Sequence, residues 1–144
     1  MHYRGPWLVN SLVMRVLIVE DDARVARLLR TVLKRDEHEV VLAEGGKDGW
    51  KQLTGDTPPF LLILDRMLPD MDGADLLRRL RAHARGKHLP VLMLTAAIRT
   101  SRELDDGTLT RVLAKPFDLD EFRAICSALV ACAASAAERP TVPA

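Results

Sequence analysis

Four acids, one hydroxyl and one lysine follow short apolar runs in this chain. Glu20, Asp21 and Asp22 follow RVLIV, Asp65 follows FLLIL, Thr95 follows VLML, and Lys115 follows VLA and precedes Pro116. Carboxylates brought close together repel one another unless a cation stands among them. An oxygen donor set without His or Cys suits a hard cation such as Mg2+, which takes one or two carboxylates and completes its shell with water and phosphate oxygens. A carboxylate can also accept a phosphoryl group when a metal and fixed donors take up the charge. Asp65 as nucleophile, Mg2+ on Asp21, and Thr95 and Lys115 as donors make such a set.

Each residue also has a simpler reading. Asp22 precedes a helical pattern and reads as its N-cap. Asp70 and Asp72 lie in the turn 69–73 and read as turn formers. Thr95 alone could be a core hydroxyl, and Lys115 a solvated cation. Asp65 resists this treatment, because no turn requires an acid straight after a run of apolar residues.

The elements that must position these groups alternate between apolar runs and amphipathic stretches. Residues 15–20, 39–43, 60–64, 90–94 and 112–114 read as strands. Residues 23–34 form a helix pattern, with Val25, Leu28, Leu29 and Val32 at i, i+3, i+4, i+7 facing the core. Residues 47–53 make a weaker helix with Gly49 inside it, and 74–83 turn Leu76, Leu77 and Leu80 inward. The last helix covers 118–137, opening on a capping-box-like Asp118 and Glu121. Strands apolar along their whole length, alternating with helices, imply a parallel sheet covered on both faces. With strand order 2-1-3-4-5, the carboxyl ends of strands one and three are neighbours, and open sheets bind ligands beyond those ends.

The 144 residues suit one domain, and 48% hydrophobic with 28% charged residues is an ordinary globular composition. A net charge of +1 makes no electrostatic case for nucleic acid or an anionic membrane as partner. Cys126 and Cys132 lack metal-site spacing, point to different faces of a helix, and read as buried or half-buried thiols of a reducing cytoplasm. Residues 1–13, with Trp7, Leu8, Val9, Leu12 and Val13, read as a leader outside the domain, with Met14 an alternative start. The domain is expected over 14–137 and a frayed tail over 138–144, with no run long enough to span a membrane.

The blocks RVLIVEDD, LLILDRMLPDMDG, VLMLTA and AKPF, in this order and each at a strand end, resemble the signature of the response-regulator receiver domain of two-component systems. The resemblance runs from Arg15 to Phe117 and, with the last helix, covers nearly everything after the leader. It implies a flavodoxin-like, doubly wound (βα)5 α/β sandwich with Asp65 as phospho-acceptor. It further implies Mg2+ at Glu20, Asp21, Asp65 and the Met67 carbonyl, with Thr95 and Lys115 holding phosphoryl oxygens and a cis Lys115–Pro116 bond. A histidine kinase or histidine phosphotransfer protein would be the donor, a separate protein the downstream partner, and the chain a cytoplasmic monomer or weak dimer. Apart from self-phosphorylation and slow autodephosphorylation, no enzyme activity is expected.

Two features depart from that family. The stretch from Thr95 to Lys115 is short, and the position three before the lysine, where the family carries Tyr or Phe, is Val112. Residues 98–110 hold only Ile98, Leu104 and Leu109 as apolar anchors, so the fourth helix is expected to be atypical or shortened and the segment mobile. Phosphorylation would then act by ordering it through Thr95. A phosphate-independent docking module is the alternative. A phosphatase of the haloacid-dehalogenase type would need a second Asp where Met67 stands.

Overall fold

The computed structural model describes residues 14–137; the expected leader and the tail after it lie outside the described residues. Five parallel strands run β1 (Arg15–Val19), β2 (Glu39–Ala43), β3 (Leu61–Asp65), β4 (Val91–Thr95) and β5 (Thr110–Ala114). They form one sheet in the order β2-β1-β3-β4-β5. The helices are α1 (Ala23–Arg35), α2 (Gly46–Leu53), α3 (Gly73–Ala82), α4 (Ile98–Ser101) and α5 (Leu119–Ala137).

The strand period of two sends alternate residues to opposite faces. Val16, Ile18, Leu61, Ile63, Leu92 and Leu94 meet Leu29, Val32 and Leu33 of α1 and Phe122, Cys126 and Leu129 of α5. Leu17, Val19, Leu62, Leu64, Val91 and Met93 meet Leu53 of α2 and Leu76, Leu77 and Leu80 of α3 on the other. The expected doubly wound sandwich is what forms. Gly49, the weak point of the α2 pattern, lets that helix lie close on β1: a Cβ there would stand 2.8 Å from Val19 Cγ2. No helix among the described residues is long and apolar enough to cross a membrane.

Several details differ from the sequence reading. Leu28 is 47% exposed, because Ala26, Leu29, Val32 and Leu33 carry the buried face of α1. Phe60 is 60% exposed and precedes β3, which instead takes in Asp65. β5 begins at Thr110, two residues early, because hydrogen bonding to β4 continues through polar residues as well as apolar ones. Cys132 is exposed; burial of Cys126 pushes its thiol up to about 12.

The fourth helix is a single turn, continued by the 3-10 turn Arg102–Leu104. The chain from there to β5 is tied by polar groups. Asp106 Oδ1 accepts the N–H groups of Thr108, Leu109 and Thr110, and Asp105 Oδ2 accepts that of Val112.

Candidate phosphoryl-acceptor site

The sheet ladder runs on past the strand ends and fixes the first residues of the loops beyond them. Glu20 N–H donates to Ala43 O at 3.0 Å, Arg66 N–H to Leu94 O at 2.9 Å, and Lys115 N–H to Thr95 O at 2.8 Å. Glu20, Asp65, Thr95 and Lys115 are thereby brought to one end of the sheet. The Lys115–Pro116 bond is cis. Lys115 Nζ donates to Asp65 Oδ2 at 3.0 Å and to Glu20 Oε1 at 3.1 Å. Met67 N–H donates to Asp65 Oδ1 at 3.1 Å, while its side chain is exposed.

Glu20, Asp21 and Asp65 each offer an oxygen, and these oxygens lie within 4.8 Å of one another. Glu20 and Asp65 are buried and Asp21 is exposed, so the cluster opens to solvent on the Asp21 side. Glu20 Oε2 is buried with no hydrogen-bond partner. A buried carboxylate oxygen left unpaired is costly. This orphan atom, in an all-oxygen set, fits a hard divalent cation held by Glu20, Asp21 and Asp65.

Burial, reinforced by the neighbouring Asp65 carboxyl, pushes the Glu20 pKa up to about 8, with Lys115 pulling the other way. Burial also works to lower the Lys115 pKa, but its bonds to Asp65 and Glu20 outweigh that and hold it above its ordinary value. Between 4.5, the ordinary value, and about 8, the folded protein holds a proton on Glu20 that the unfolded chain has lost. Metal-free stability should therefore fall as pH rises through that window, by at most about 1.4 kcal/mol per pH unit. His38, lowered by burial from 6.5, acts in the opposite direction and fades only about one pH unit above that value, so the upper end of the window, toward about 8, reports Glu20. Melting temperatures in chelator should drop across this range and level out in Glu20→Gln; a rise with pH would refute the assignment.

Residues 66–72 leave the site tied to three helices. Asp72 caps α3, accepting Ala74 N–H at 2.9 Å. Asp70, expected as a turn former, reaches across to α2, where Oδ1 accepts Gly46 N–H at 2.8 Å and Oδ2 accepts Lys47 N–H at 2.9 Å. The Lys47 and Gly46 N–H groups hold its pKa below the ordinary value. Arg66 Nη1 donates to Thr100 Oγ1 and Ser101 Oγ of α4. Asp22 caps α1 as expected, accepting the N–H groups of Arg24 and Val25. Sequence reasoning missed Arg66 and Ser101, because neither stands in a pattern that spacing alone marks as chemical.

The family profile described as "Response regulator receiver domain" matches residues 16–127. Response regulator MprA of Mycobacterium avium is 37% identical over 119 residues, covering 81% of this chain and 51% of the relative. The chain thus spans about half the length of such curated relatives. A Chloroflexus aurantiacus J-10-fl crystal structure, assigned as a response regulator, aligns with TM-score 0.73 at 35% identity, covering 83% of this chain and 98% of that one. Response regulator protein TrrA of Thermotoga maritima, in complex with Mg(2+)-BeF, aligns with TM-score 0.68 at 26% identity over 80% of this chain and 97% of its own.

Proposed function

The chain belongs to the receiver-domain family of response regulators, and on that premise we propose that it accepts a phosphoryl group on Asp65 in a Mg2+-dependent step of a two-component phosphorelay. The donor is a histidine kinase or phosphotransfer protein, and the phosphorylated form signals by a change of shape that another protein reads, in the cytoplasm. The observation that carries this reading is the meeting of Asp65 with Glu20, Asp21 and Lys115 at the sheet end. The relative solved with Mg(2+)-BeF supports the same chemistry.

In the step itself, an Asp65 carboxylate oxygen attacks phosphorus, and the bond to the donor nitrogen breaks with its electron pair leaving on nitrogen. Lys115 moves its ammonium from the Asp65 carboxylate to a phosphoryl oxygen, and the Thr95 hydroxyl, fully buried at the end of β4, donates to another. Glu20, Asp21, Asp65 and the Met67 carbonyl would hold Mg2+, which when bound neutralises charge spreading over the phosphoryl oxygens. Apart from accepting the group from small donors and slowly hydrolysing it, the domain catalyses nothing further.

Incubation with acetyl phosphate and Mg2+ should add one phosphate, localised to Asp65 by mass spectrometry. Asp21→Asn should lose both Mg2+ binding and uptake. Uptake at the parental rate in that variant would show that the metal sits elsewhere. The one-turn α4 and Val112 favour a second reading, docking without phosphate. It would be supported if a captured partner bound the protein equally before and after acetyl phosphate treatment.

A further inference from the structure

A polar circuit joins the end of β4 to α4 and returns to the chain beside Asp65. Thr95 Oγ1, fully buried, accepts the Ala97 N–H at 2.9 Å. Ser101 Oγ, also fully buried, stands 3.4 Å from it. Ser101 in turn accepts Arg66 Nη1–H at 2.6 Å, which leaves its own proton for Thr95. The same guanidinium donates to Thr100 Oγ1 at 3.1 Å and, through Nε, to the α3 cap Asp72 at 3.3 Å. Since Arg66 directly follows Asp65, the circuit that starts at Thr95 ends beside the acceptor.

The Ser101–Thr95 contact, at 3.4 Å, is longer than an ordinary O–H···O bond, whereas Arg66–Ser101 is short. A small turn of Thr95 toward a phosphoryl oxygen therefore breaks the weak link first. Ser101 would then be a buried hydroxyl whose proton has lost its acceptor, a state the fold relieves by moving the turn that carries it. That turn is α4, only four residues long. On the neighbouring strand, Val112 is half-buried and aliphatic, with no ring to swing.

We propose that Arg66 and Ser101 are the positioning pair through which Thr95 moves α4, so that a polar circuit converts the state of Asp65 into a displacement of that turn. This rests on the phosphoryl-acceptor reading given above.

The test is amide NMR on the full chain, titrated with Mg2+ and beryllofluoride. In the parent, resonances at Met67 and Gly73 and those of α4 should all shift. Arg66→Gln and Ser101→Ala should keep the shifts at Met67 and Gly73 and lose most of those in α4. The two variants cut the circuit at different places, so a folding defect in one, visible in its spectrum, leaves the other decisive. Thr95→Val should already lack the α4 response, and adding Ser101→Ala should take nothing further from it. Full α4 shifts in both single variants, or losses that add in the double variant, overturn the circuit while leaving phosphorylation standing. Absence of any beryllofluoride response in the parent overturns the phosphoryl-acceptor reading, and the circuit with it.

Discussion

Asp65→Asn is expected to take up no phosphoryl group from acetyl phosphate and Mg2+, and to melt higher than the parent in chelator. The amide removes the nucleophile while keeping nearly the same shape, so uptake should fall below detection. It also removes one of two buried acids that lean on a single ammonium, Lys115, placed 3.0 Å from Asp65 and 3.1 Å from Glu20. Above about pH 8, where Glu20 is ionised too, like charges at one site oppose folding, and relief of that repulsion is worth about 1 kcal/mol, or roughly 2–8 °C for small to medium domains. Asp21→Asn should move the melting temperature the same way. A fall in both variants would mean that these acids are held mainly by structural hydrogen bonds, of which Met67 N–H to Asp65 is one.

Gly73→Ala should damage both stability and chemistry. A Cβ at this first residue of α3 would stand 2.3 Å from the Asp65 carbonyl oxygen and 2.8 Å from Arg66 Cα. Both are backbone atoms, so either the helix start or the end of β3 must give way, at a cost of about 1–3 kcal/mol. The movement falls on the peptide that carries Asp65, and misplacement of a reacting group by about an ångström can slow a reaction roughly 100-fold. Phosphate uptake by the purified variant should therefore drop by about tenfold or more. Gly107→Ala is the comparison: its φ of +76 strains any side chain, yet nothing lies within 4 Å. It should lose stability and keep its uptake rate. Parental uptake in Gly73→Ala would show that the close approach does not govern the position of Asp65.

The layered fold was legible because each strand writes its own signal. Leu61, Leu62, Ile63 and Leu64 are buried on both faces and look so in sequence. The acids were legible for the converse reason, since Asp65 has no structural excuse after such a run. What the sequence hid are contacts that no period encodes. Leu28 fits the apolar repeat of α1 yet faces outward, because the helix turns Ala26 and Leu33 inward instead. Asp70 sits in a turn in sequence, but its bonds are to residues 23 and 24 positions away. Counting apolar anchors over 98–110 passed over Asp105 and Asp106, whose carboxylates gather the backbone N–H groups there. Arg66 and Ser101 became visible only once α4 lay beside the loop after β3.

The loop from Arg66 to Asp72 also limits how the chain can vary in length. Within seven residues it meets the first turn of α2 through Asp70, caps α3 through Asp72 and grips α4 through Arg66. A one-residue insertion or deletion would throw these attachments out of phase together, whereas residues 56–58, exposed on all three side chains, could lengthen with little harm. Lineages of this domain should therefore vary freely in sequence on the outer faces of their helices while keeping this interval constant in number.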